Sequence, residues 1–136
     1  LPEMLEDVVY EVEDVIVSAI ANDQLYRRGI TGKGVKITSY APYADRTIAA
    51  KQRKGQPTTR VTLRDTGDFH KGMHVIFIDE YPGGFYITSS DNKTEELVEK
   101  YGPEIFRLTN ENFNRILRVH IRRRLQKRLK NKLKGL

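Results

Sequence analysis

Met73-His-Val-Ile-Phe-Ile-Asp-Glu-Tyr-Pro-Gly-Gly-Phe-Tyr-Ile-Thr88 is the stretch that decides the fold class. Met73–Ile78 is strand-like, Pro82-Gly83-Gly84 is a strong turn, and Phe85–Thr88 reads as the return strand of a hairpin. The segments on either side read as helix or polar connection. The expected class is therefore α+β, with a long N-terminal helix, a small antiparallel sheet, a short helix and a long basic C-terminal helix.

Upstream of the hairpin, Leu5, Val8, Val9, Val12, Val15, Ile16, Ala19 and Ile20 recur at three- and four-residue spacing. That periodicity predicts an amphipathic helix over residues 3–28 within an N-terminal segment 1–28. Pro2 suits the first helical turn, and Glu3, Glu6 and Asp7 suit the positive end of the helix dipole. The many β-branched residues lower helix propensity, so packing has to hold this segment. Its solvent face is acidic, with Glu6, Asp7, Glu11, Glu13 and Asp14 and no base before Arg27. Gly29, Gly32 and Gly34 then break the helix. Residues 29–60 read as a polar loop region with a short helix around Thr47–Arg53, and residues 61–90 as the sheet region.

Downstream, Asp91-Asn-Lys-Thr94 opens a helix that closes at Gly102-Pro103. The last helix starts at Thr109 or Asn110, both suitable N-caps, and runs almost to Gly135, so residues 91–134 form a helical part ending in a basic arm. The 136 residues, 38% hydrophobic and 31% charged, suit a single domain over 1–136 with a modest core. Cysteine is absent, which excludes disulfides and thiolate metal sites. No apolar run approaches the roughly twenty residues needed to span a bilayer, and the acidic start is unlike a signal peptide. The expectation is a soluble protein made in the cytoplasm, with no membrane partner.

Charge is distributed unevenly. Residues Arg115–Leu136 hold ten Lys or Arg and no acid, whereas the whole chain carries only +6. The remaining fourteen bases and eighteen acids leave residues 1–114 at −4. A mildly acidic body with a cationic helix points to a partner, either nucleic acid or an acidic protein surface. Within the helix, Phe113, Leu117, Ile121, Leu125, Leu129 and Leu133 recur every four residues. At about 100° per residue each step overshoots a turn by about 40°, so one flat core cannot cover both ends. Phe113, Ile116, Leu117 and Ile121 are expected on the body, and Leu125, Leu129 and Leu133 on a second surface, that of another subunit. The cations Arg118, Arg122, Arg123, Arg124, Lys127, Arg128, Lys130 and Lys132 exceed what a helix C-terminus needs and repel one another, which a counter-surface relieves. Beyond Phe113 the tail has no aromatic side chain for stacking on bases, so nucleic acid would be held through phosphates without sequence preference.

Other motifs carry no chemistry. Asp65-Thr66-Gly67 matches the aspartic-protease triplet, but that reaction needs two carboxylates and no second triplet exists. A turn between Leu63 and Phe69 explains the three residues equally well. Gly29-Ile-Thr-Gly-Lys-Gly34 lacks the spacing and the hydroxyl residue of a phosphate loop, and reads as a turn. His70 and His74 are four apart, yet a strand from Met73 would not present both rings together, and His120 reads as a packing or surface residue. The expectation is a non-enzyme with no metal, cofactor or small-molecule substrate.

The central segment has a layout of its own: Gly32-Lys-Gly34, Tyr40-Ala-Pro-Tyr43, Thr47-Ile-Ala-Ala-Lys51, Gly55-Gln-Pro57 and Val61–Phe69, then a strand. Glu99-Lys-Tyr-Gly102 and Ile105-Phe-Arg-Leu-Thr109 follow before the last helix. Over roughly residues 20–120 this resembles the small virion-morphogenesis proteins of tailed phages, the head–tail completion or neck group. Leu63, Thr66, Gly67 and Phe69 occupy that group's Leu-x-x-Thr-Gly-x-Leu/Phe element. The pattern departs in two ways, an unclear polar-aromatic segment after the first strand and a more basic tail. The resemblance implies a virion structural protein without catalytic residues, a subunit of an oligomeric ring at the head–tail junction. Its partners would be copies of itself, portal or connector subunits and tail proteins, and its place the virion. The acidic helix of one subunit meeting the basic helix of the next would supply a head-to-tail contact. The competing expectation is a nucleic-acid-binding module whose tail makes phosphate contacts.

Overall fold

The computed structural model describes residues 2–135; Leu1 and Leu136, the ends of the expected domain, lie outside the described residues. The class is α+β. The hairpin forms with β1 (Met73–Phe77) antiparallel to β2 (Phe85–Ser89), in register Met73↔Ser89 to Phe77↔Phe85. Met73, Val75, Ile87 and Ser89 turn one face of the sheet into the core. Both strands start where expected; β1 ends one residue earlier and β2 one residue later.

The N-terminal segment is not one long helix. It runs as α1 (Pro2–Glu11), α2 (Glu13–Ser18) and a π-helical stretch Ala19–Arg27. Val12, at φ −103° and ψ 14°, interrupts the path. Its N–H is shared between the carbonyls of Val8 (3.1 Å) and Val9 (3.2 Å). A valine- and isoleucine-rich segment gains little from continuous helix, so a break costs little. The break also serves two partners, since α1 packs on the C-terminal helix while α2 packs on β1. The apolar periodicity is nonetheless the core face: Val8, Val9, Val12, Ile16 and Ile20 are all buried.

The polar region holds a single turn of 3₁₀ helix (Ile37–Ser39), a bridge between Ile30 and Lys36, and α3 (Asp45–Arg53). Residues 61–67 form no strand; the chain bends there into α4 (Asp68–Lys71). The short helix lies where expected, as α5 (Thr94–Tyr101), followed by a 3₁₀ turn Pro103–Phe106.

The last helical path comprises α6 (Asn110–Ile116), a π-helical stretch Leu117–Ile121 and α7 (Arg122–Lys134). Thr109 is the N-cap, its hydroxyl accepting from the Asn112 N–H at 3.1 Å. The π stretch overturns part of the tail reading. Residues five apart on a regular α-helix stand about 140° from each other, but a π turn closes over five residues and brings them to one side. Ile116 and Ile121 are accordingly both buried, while Phe113 and Leu117 are left exposed. Leu125, expected on a neighbour, packs against this chain's own core. Leu129 and Leu133 remain exposed, at 38% and 67%.

Candidate interaction surface

The root of the C-terminal helix is tied down by a polar knot. Gln24, fully buried in the N-terminal π stretch, donates through Nε2 to the Arg107 carbonyl at 2.8 Å. Its Oε1 accepts from the Thr109 N–H at 2.9 Å and from Asn112 Nδ2 at 3.0 Å. Asn112 also donates to Asp23 Oδ2 at 3.1 Å. A single glutamine thereby satisfies the connection into α6, the N–H of its cap and the Asn112 amide three residues on, which orients the arm. A Gln between Asp23 and Leu25 gives no sequence signal for this role.

Beyond the root, α7 lies along α1. Arg124 reaches Glu11 at 3.8 Å, and Arg128 reaches Asp7 at 3.9 Å and also contacts Glu11. The charge complement proposed between subunits is met within one chain by these two acids. The other acids serve elsewhere. Glu13 turns inward and accepts the Val75 N–H through Oε2 at 2.9 Å, capping an outward donor of β1. Asp14 borders a surface depression with Arg27 and Arg115, and Glu6 is half-buried.

The remaining cations point away. Arg118, Arg122, Arg123, Lys127, Lys130 and Lys132 are exposed and make no ion pair or side-chain hydrogen bond among the described residues. At about 100° per residue, Arg123, Lys127, Lys130 and Lys134 fall within about 60° of one another and form a straight stripe. Leu129 and Leu133 lie on a different edge of the same helix. The arm thus ends in a bare tip with one cationic edge and one apolar edge.

A second exposed apolar feature lies beside the root. β2, the Pro103–Phe106 turn and the start of α6 enclose a groove of about 910 Å3, lined by Phe85, Ile87, Val98, Phe106, Leu108 and Phe113. Tyr86 and Phe113 border it while 51% and 43% exposed, and Leu117 continues the apolar surface one turn along.

The residues of the resemblance converge elsewhere, around a small cavity of about 180 Å3 lined by Tyr43, Lys51, Leu63, Thr66, Gly67 and Phe69. Lys51 is buried, with Nζ 5.0 Å from the Tyr43 ring centre and 3.5 Å from both Gln56 Oε1 and the Arg64 carbonyl. The Tyr43 hydroxyl accepts the Thr62 N–H at 3.1 Å. Leu63 is held at φ 54° and Gly67 at φ 94°, so the Thr-Gly pair makes the bend that inserts Phe69 against Phe106, ring centres 5.5 Å apart. Thr66 Oγ1 accepts the Asp68 N–H at 3.3 Å. The hydrogen bond from Lys54 holds the half-exposed Asp65 carboxyl below its usual range. Asp65 is therefore a paired carboxylate at the turn.

The histidines are separated as their elements require. His70 is buried on α4, with Nε2 2.9 Å from the Thr62 carbonyl and Nδ1 without a partner among the described residues. Burial lowers its pKa. His74 stands on β1 with Nδ1 2.8 Å from the Gly72 carbonyl. Among the described residues no group of three or more His, Cys, Asp or Glu is placed to hold a metal, and no helix is long and apolar enough to cross a membrane.

Comparison with protein-family models, curated proteins and solved structures returns no match to this chain.

Proposed function

We propose that the protein is a structural subunit of a tailed-phage particle. It would act as a member of an oligomeric ring at the head–tail junction, in the neck or tail-completion position. The role is mechanical rather than catalytic, and the neighbours are further copies, portal or connector subunits and tail proteins. The observation that carries this reading is the arm. Its root is locked by Gln24 and by the Arg124 and Arg128 pairs, while its tip leaves Leu129 and Leu133 in solvent. Exposed apolar knobs on an oriented, highly charged helix suit docking to another protein. The Leu63, Thr66, Gly67 and Phe69 element then builds the fold that presents the arm. Negative-stain imaging and light scattering of the purified protein test this reading. Rings support it, and a compact monomer at every concentration overturns it.

A second reading is favoured by the cationic stripe. Arg123, Lys127, Lys130 and Lys134 face away from the body and could contact four phosphates, sequence-independently. Such binding would lose affinity with a log–log salt slope of about −3.6 on duplex DNA. Absence of binding at low salt removes this reading and leaves the first intact.

A further inference from the structure

We propose that the groove beside the root is the socket for the arm tip of a second copy of this chain. This inference rests on the reading of the protein as a self-assembling subunit and names the two surfaces that meet.

Three observations bring tip and groove together. The first is apolar match: the tip presents Leu129 and Leu133, and the groove presents the exposed Phe113 with Phe85, Val98 and Phe106 half-buried along its wall. Amphipathic helices dock into such grooves through side chains spaced i and i+4, the spacing of these two leucines. The second is charge. Helix α7 carries eight Lys or Arg and no acid, of which Arg124 and Arg128 are engaged within the chain. In the groove wall Glu104 is paired with Arg107 and Lys33, so the acidic excess comes from α5, which contributes Val98 and carries Glu95, Glu96 and Glu99 against Lys100. The third is reach. Phe113 and Leu133 belong to the same helical path twenty residues apart, roughly 30 Å along the axis. The tip therefore cannot enter its own groove without breaking that path, and the occupant is another molecule.

The contact is heterologous, because tip and groove are different surfaces. Each copy offers one of each, so the association propagates and closes into a ring where the rotation permits. The cationic stripe remains on another edge of the helix. Docking of the leucine edge leaves it uncovered.

Site-selective crosslinking tests the pairing, since the chain contains no cysteine. Leu133→Cys is mixed in turn with Tyr86→Cys, at the groove, and with Tyr10→Cys, a control on α1 that is 66% exposed. A flexible bis-maleimide is added, and oligomer mass is followed by light scattering. The expected result is hetero-crosslinking to Tyr86→Cys about tenfold or more above the control, as docking raises local concentration over bulk. Oligomers that form with equal crosslinking to both partners overturn the socket while sparing the assembly reading. A protein that stays monomeric overturns the assembly reading and the socket with it. All three substituted side chains are exposed, so the fold survives the test.

Discussion

Replacing Gln24 with Leu removes the centre of the knot while keeping a side chain of similar bulk, so the loss reports polar contacts rather than a cavity. The side chain is fully buried and serves the Arg107 carbonyl, the Thr109 N–H and the Asn112 amide at 2.8, 2.9 and 3.0 Å. Leucine leaves the first two without their side-chain partner, and Asn112 retains Asp23. At about 1–3 kcal/mol per buried group left unsatisfied, the expected cost of Gln24→Leu is about 4 kcal/mol. Unfolding entropy of about 2.1 cal/mol/K per residue over 136 residues converts this to a fall in Tm of about 14 °C. Denaturant unfolding followed by far-UV circular dichroism gives the free energy, and calorimetry gives Tm. Asn112→Leu alone, and then with Gln24→Leu, completes a cycle in which the double change costs less than the sum. A Gln24→Leu protein within about 1 kcal/mol of the parent would refute the reasoning, because it would mean that water or backbone adjustment replaces the glutamine.

Four further outcomes follow from the structure. Burial lowers the His70 pKa, so below about pH 6.5 the unfolded chain binds more protons than the folded one. Stability that is fully present above the unfolded pKa is then lost as pH falls toward the folded value. Urea midpoints at about pH 7.5 and about pH 5 should differ in the parent and differ less in His70→Gln. Gly32→Ala sets a Cβ into the Arg107 carbonyl, so the backbone at residue 32 or at Arg107 has to move. A cost of about 2–3 kcal/mol is expected in the same unfolding assay. Arg128→Glu turns two attractions, to Asp7 and Glu11, into repulsions on a partly exposed surface and should cost about 1 kcal/mol or less. Arg123→Glu should leave stability unchanged and, if duplex DNA binds, make the salt slope shallower by about one unit.

Much of the architecture was legible because it rests on local patterns. The Pro82-Gly83-Gly84 turn between two apolar runs specifies the hairpin, and Thr109 specifies where the last helix begins. The periodic valines and isoleucines of residues 5–20 identified the face that is buried. The continuity of that segment was not legible, because periodicity of apolar side chains survives the break at Val12. The turn between Leu63 and Phe69 was legible from Asp65-Thr66-Gly67, but residues 61–67 were counted with the sheet region, whereas they turn the chain so that Phe69 enters the core. On the tail, the four-residue repeat marked the apolar edge but assigned three of its members to the wrong surroundings. One extra residue in the Leu117–Ile121 turn rotates Phe113 and Leu117 outward and brings Leu125 onto the body. Gln24 and Asn112 escaped notice, and Glu13 was placed on the solvent face, because their roles depend on partners 62 to 89 residues away.

By itself the sequence determined the α+β class, the hairpin, the capped start of the last helix and the separation of an acidic N-terminal face from a cationic tail. These depend on spacing, turn chemistry and charge, which act over a few residues. Tertiary structure alone decided that the acidic face meets the tail within one chain, through Asp7 and Glu11 with Arg124 and Arg128. It also decided that Leu129 and Leu133 stay bare while Leu125 does not, and that a groove opens beside the root. The reason is physical: opposite charges and apolar edges state what must be covered, and only the packed chain determines which of them it covers itself.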